Sequence, residues 1–151
     1  MLGLLRAITF LTAALVLGGC QHLSLPTALQ QRLAAERYQA AAERYDQELR
    51  AANAELARGN LLPAFASLAS AEHAFSAELR AIPFPDSAQE PARRLIADSE
   101  RLEALYRQTA IQTDADKLAE LLKAIGEARR ASSADALQVR AALGLPAPAG
   151  P

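Results

Sequence analysis

The strongest constraint on this chain's fold is an alternating three-and-four spacing of apolar side chains. Tyr38, Ala42, Tyr45, Leu49, Ala52 and Leu56 follow it. So do Phe65, Leu68, Glu72, Phe75, Leu79 and Ile82, with one acid in the series. A helix turns once every 3.6 residues, so each series becomes one stripe that must be covered by a neighbour. Strands have little to build on: alanine is abundant, and valine occurs only at Val16 and Val139. An all-α fold is therefore expected.

Punctuation divides the helical region. Thr27 with Gln30 reads as a capping box, opening a helix from about Ala28 to Arg58 that Gly59-Asn60 ends. Asn60 is placed to cap the second helix, which Pro83-Phe84-Pro85 closes because a proline restricts both itself and the residue before it. Ser87 or a close neighbour opens the third helix, with Pro91 in its first turn and Leu95, Ile96, Leu102, Leu105 and Tyr106 on its apolar face. Thr113 with Asp116 opens the fourth, which carries Leu118, Leu121, Leu122 and Ile125. Ser132 with Asp135 opens a short fifth carrying Leu137, Val139 and Leu143, ended by Gly144. Short loops favour antiparallel neighbours. The expectation is an up-down antiparallel bundle of four helices plus a short fifth helix, a lid on the bundle or an extension of the fourth. The bundle spans residues 27–145, and a Pro/Ala/Gly-rich tail, 146–151, is expected to be disordered.

The N-terminus has a different composition. Arg6 precedes an apolar segment eleven residues long, Ala7 to Leu17, and small residues follow before Cys20. That is the layout of a secretory signal peptide, residues 1–19. The apolar run is too short for a membrane span of roughly 20 residues. Leu17-Gly18-Gly19-Cys20 resembles the lipobox of bacterial lipoproteins. The resemblance implies diacylglyceryl transfer to the Cys20 thiol, cleavage after Gly19, and N-acylation of the new terminus. Residues 20–26 then form a lipidated spacer, and the membrane is the partner reached through Cys20. Cys20 is the only cysteine, so no disulfide forms within the chain. Gln21 is not the aspartate that retains lipoproteins at the inner membrane. The expected site is thus the outer membrane of a Gram-negative cell, or the outer face of the plasma membrane in a Gram-positive or actinobacterial one.

Cutting before Cys20 leaves 132 residues, enough for one domain with a core. Charge is balanced, 16 Lys and Arg against 17 Asp and Glu, with no concentrated basic face for nucleic acid. Arg93-Arg94 and Arg129-Arg130 read as solvated doublets. Catalytic patterns are scarce. His22 and His73 do not make the paired histidines of a zinc-protease helix or the repeated Glu-x-x-His of a di-iron bundle, and no phosphate loop or nucleophile elbow occurs. Neither a cofactor nor a metal is expected, and the chain is read as non-enzymatic.

Four side chains stand out as candidate contacts for a partner or ligand. Glu72 falls on the apolar stripe of the second helix. It is either a buried acid that lines a cavity or sets helix register, or an edge residue beside a seam filled by Ala69 or Ala71; the edge position is the expectation. Tyr38 and Tyr45, like Tyr106, are at core spacing, where a tyrosine keeps its hydroxyl on one partner. Phe84, between two prolines, either plugs the bundle end or is offered to a partner.

Phe75-x₃-Leu79-x₂-Ile82-Pro83-Phe84-Pro85, and the ending Val139-Arg140-x₂-Leu143-Gly144-Leu145-Pro146, resemble small Ala-rich helical lipoproteins of GC-rich bacteria, actinobacteria especially. The plan, though not the motifs, is also similar to pilotins, the helical lipoproteins that escort secretins. The resemblance implies the anchor and the architecture. Two roles fit them: a helical interaction or scaffold module with an envelope-protein partner, or a tethered binder of a lipid or other apolar ligand within the bundle.

Overall fold

The structure, a computed structural model, describes residues 27–147. The expected signal peptide, the lipobox residues Leu17, Gly18, Gly19 and Cys20, the spacer and the last four residues of the tail lie outside the described residues. Four helices follow in order: α1 (Thr27–Ala57), α2 (Leu61–Arg80), α3 (Asp86–Ala110) and α4 (Ala115–Ala142). Among the described residues there is no strand. No described helix is long and apolar enough to cross a membrane.

The helix ends follow from local chemistry. Gly59 adopts φ +82° and Gly144 φ +72°, a left-handed conformation in which a side chain is strained. At each, the next residue donates its N–H back five residues, Asn60 to Glu55 O and Leu145 to Arg140 O, which satisfies a carbonyl left over at the helix end. Asn60 sits at the N-cap of α2, but its side chain does not cap; Nδ2 donates to Glu55 Oε2 at 2.7 Å instead. Asp114, not Thr113, caps α4, accepting from the N–H groups of Asp116 and Lys117.

The expected fifth helix is not separate. Ser132 to Leu137 belong to one uninterrupted α4 of 28 residues. Ser-Ser is a weak helix signal that competes for backbone hydrogen bonds, and packing decides the outcome. α3 supplies that packing: Arg94 donates Nε to Asp135 Oδ1 at 2.9 Å and Nη2 to Gln138 Oε1 at 2.5 Å. The acid expected to start a new helix is held as part of a continuing one.

Two apolar clusters fill the bundle. One joins the start of α1 (Ala34, Ala35, Tyr38, Ala41) to Phe75, Leu79, Ile82, Leu95, Val139 and Leu143. The other, at the opposite end, joins Ala52 to Phe65, Leu68, Leu102, Tyr106 and Ile125. All six stripe positions of α2 are buried, Glu72 among them. Close backbone packing runs in sequence order, α1 on α2, α2 on α3, α3 on α4, while α1 and α4 approach less closely. Ion pairs repeat the pattern: Arg44 forks onto Glu78 between α1 and α2, Arg80 pairs with Glu100 between α2 and α3, and Arg94 with Asp135 between α3 and α4. Among the described residues none joins α1 to α4.

Candidate ligand-binding cleft

Glu72 is the first surprise. The expected edge position is overturned: the residue is 1% exposed, and Ala69 and Ala71 are buried beside it rather than in its place. It sits between the two apolar clusters, at the middle of the stripe set by Leu68 and Phe75. Leu68 and Phe75 are buried on the same face of α2, so rotating the helix to free Glu72 would expose one or the other. Those apolar side chains are each worth roughly 1.5–3 kcal/mol when buried, and they hold the acid inside.

A carboxyl buried this way needs partners. Tyr45 on α1 donates its hydroxyl to Glu72 Oε1. Oε2 has no partner, nor do the Ser99 and Tyr106 hydroxyls buried at the same level. Ser99 faces the carboxyl without reaching hydrogen-bond geometry. Burial pushes the Glu72 carboxyl up to about 7, against the pull of the Tyr45 hydroxyl, Ser99 and the Arg129 guanidinium. Burial and the adjacent acid also drive the Tyr45 hydroxyl well above the ordinary tyrosine value.

Tyr45 has a second face. Its ring stacks on Phe75 with centroids 4.5 Å apart and planes 17° apart. This stack lies on a cleft of about 340 Å³ between α1 and α4. Tyr38, Ala42, Tyr45, Asp46 and Leu49 form its α1 wall; Phe75, Leu95 and Leu102 form its floor; Arg129, Ser132, Ser133, Ala136, Leu137 and Arg140 form its α4 wall. The volume is at the small end of the range for small-molecule sites, about 300–1,000 Å³.

The cleft exists because the two walls carry the wrong side chains to close it. α1 offers two tyrosines, one alanine, one leucine and Asp46. α4 offers serines and arginines at the same level. Among the described residues two long hydrogen bonds span the gap, Gln31 Nε2 to Ala142 O at 3.4 Å and Tyr38 OH to Ala136 O at 3.5 Å, both toward the end where α1 begins. Burial raises the Tyr38 hydroxyl to about 12, so it stays a donor.

The charge on the rim is uneven. Arg129 and Arg140 belong to none of the salt bridges among the described residues, and Asp46 is the one acid on the lining. Arg140 uses Nε on Pro146 O at 2.8 Å. The lining serines have no histidine beside them to act as a base. No described group of histidine, cysteine and carboxylate side chains is arranged to hold a metal ion.

Of the residues singled out in the sequence, Tyr38 and Tyr45 line the cleft and Glu72 stands behind it through the Tyr45 hydrogen bond. Phe84 is elsewhere. It is half-buried against the cluster at the α1 start, with its N–H bonded to Ile82 O, and so covers the end of the core. The α4 wall was missed by sequence reasoning. Arg129, Ser133, Ala136, Leu137 and Arg140 are spaced as one helical face, but splitting α4 at Ser132 put that face on two elements. No protein family, no curated protein and no solved structure matches this chain.

Proposed function

We propose that this chain is a cell-envelope lipoprotein, tethered to a membrane by an acylated Cys20, whose helical domain holds an apolar ligand between α1 and α4 without enzymatic chemistry. The anchor is supported by the lipobox-like Leu17-Gly18-Gly19-Cys20 behind a short apolar run. The ligand role is carried by the cleft itself: it has an apolar floor with a stacked aromatic pair, at the one seam that neither close backbone packing nor an ion pair closes. Two acyl chains on the terminal cysteine give a stable anchor where one is marginal. The protein is then placed on the outer membrane or on the outer face of the plasma membrane, according to the envelope of the cell.

Native mass spectrometry of the lipidated protein released from its membrane tests the ligand role. A co-purifying apolar species is expected, and it should be lost in Ala42→Trp, where the indole fills the cleft. Equal ligand in the variant and the parent would exclude the cleft as the site. Labelled-palmitate incorporation tests the anchor: Cys20→Ala should abolish both label and membrane attachment.

A second reading, an interaction module for an envelope protein, is favoured by one observation. Leu61, Leu62 and Ile111 are exposed together at the bundle end opposite the start of α1, Ile111 at 82%. α1 is roughly 45 Å long at about 1.5 Å per residue, so this end points away from the anchored terminus. Crosslinking in intact cells through a photoreactive residue at position 111 should capture one discrete partner if that end docks a protein.

A further inference from the structure

We infer that the ligand of the cleft is a single acyl chain with an anionic head, a carboxylate or a phosphate, and that Arg140 receives the head. The inference rests on the cleft being a ligand site.

Three observations set the ligand class. The floor is apolar, formed by Phe75, Leu95 and Leu102 with Tyr45 stacked on Phe75, which suits a hydrocarbon chain. About 340 Å³ is small for a site, and it favours one chain over the two of a bilayer lipid. The rim has two guanidinium groups outside any salt bridge against a single lining carboxylate, so a neutral amphiphile leaves that charge unanswered.

The two arginines are not equivalent. Arg129 stands at the level of the buried acid and acts on the Glu72 carboxyl and the Tyr45 and Tyr106 hydroxyls. An anion placed there would share that guanidinium with the buried acid. Arg140 is eleven residues, or roughly 16 Å, further along α4. Its Nε is held by Pro146 O, which fixes the guanidinium plane and leaves its two terminal nitrogens for an anion in fork geometry. It shares the lining with Tyr38, whose hydroxyl donates to Ala136 O one turn before Arg140 and whose wall lies toward the start of α1. That is the end from which the chain leads back toward Cys20. The head is therefore at the membrane-facing mouth, and the chain reaches inward to the aromatic stack. This is the orientation for an amphiphile drawn from a membrane surface.

Photocrosslinking tests this on the lipidated full chain in nanodiscs. The probes carry a diazirine on the same sixteen-carbon chain and differ in the head: palmitate, lysophosphatidate and hexadecanol. Saturable labelling of the α1 and α3 cleft segments by an acidic probe, at concentrations where hexadecanol labels weakly, is the expected result. Palmitate ahead of lysophosphatidate identifies a free fatty acid; the reverse identifies a lipid phosphate. Arg140→Gln should weaken acidic-probe labelling about tenfold, the loss of one charged hydrogen-bonded contact, and Arg140→Lys should recover part of it. Arg129→Gln should have the smaller effect. Hexadecanol labelling the cleft as well as palmitate, or an Arg140→Gln variant of unchanged helicity with unchanged palmitate labelling, overturns the anionic head while leaving the apolar site standing. No saturable labelling by any of the three overturns the site as well.

Discussion

The α2–α3 seam and the α1–α4 seam belong to the same bundle but are lined by different side chains, and one closes along its length while the other holds a cleft. Between α2 and α3, leucines and aromatics meet from both sides, with Leu68, Leu79, Leu95 and Leu102 almost fully buried, and the Arg80–Glu100 and His73–Glu103 pairs lie over the contact. Between α1 and α4, apolar packing on Val139 and Leu143 and two long hydrogen bonds join the helices toward the α1 start, while beyond it Ala42, Tyr45, Asp46 and Leu49 face Arg129, Ser132 and Ser133 across the cleft. Large interlocking side chains pull helices together because each buried Å² of apolar surface is worth about 25 cal/mol. Small and charged ones supply too little area to close the same gap. An open seam in a bundle is thus a matter of which side chains meet at one level, and it costs the protein little when the other three seams carry the core.

That comparison predicts unequal losses. Leu79→Ala, at 0% exposure, should cost about 2–5 kcal/mol by chemical denaturation, since it removes packing and leaves a cavity. Leu137→Ala on the cleft rim, at 48% exposure, should stay within about 0.5 kcal/mol. Equal losses would mean that the α1–α4 seam is as well packed as the other.

Glu72 lies where the two seams meet, and its titration reports on both. The folded chain holds the Glu72 proton up to about 7, above the ordinary 4.5 of an unfolded glutamate. The folded state therefore binds more protons between those values. The stability from this group is complete below about 4.5 and declines as pH rises through about 7. The decline is on the order of 3 kcal/mol, from about 1.4 kcal/mol for each unit of difference. Glu72→Gln should flatten the decline and exceed the parent in stability at pH 8. A parent whose melting temperature does not fall from pH 5 to pH 8 would show that water reaches Glu72 from the cleft.

Tyr45→Phe removes the one hydrogen bond that Glu72 accepts while keeping the ring on Phe75. It should cost about 1–3 kcal/mol and push the Glu72 titration, followed by carboxyl carbon NMR, to higher pH. Gly126→Ala is the smallest change. A Cβ there meets nothing within 4 Å, and the residue sits inside α4, so a gain of about 0.5–1 kcal/mol is expected, read as a rise in melting temperature. It should leave the cleft unaltered, because Gly126 is not on the lining.

Much of this was legible beforehand. No member of the α1 stripe is exposed, the five apolar members of the second stripe are buried, and the glycines and prolines mark the ends of α1 and α2 to within a residue or two. These are local matters, set by helical period and by backbone conformations that particular residues allow or forbid. The errors share a cause. Glu72 was expected at an edge because acids avoid interiors, and α4 was broken at Ser132 because serines open helices. Both rules are local, and in both places contacts from another helix override them: Tyr45 partners the acid, and Arg94 holds Asp135 and Gln138 in the continuing helix.

By itself, then, the sequence determined that this protein is helical, where its first two helices stop, and which face of each turns inward, because those follow from periodicity and backbone chemistry along one segment. Only the tertiary structure decided that an acid lies in the interior and that a seam stays open with two arginines on its rim. Those depend on which residues of distant helices arrive at the same level, and spacing along the chain carries no information about that.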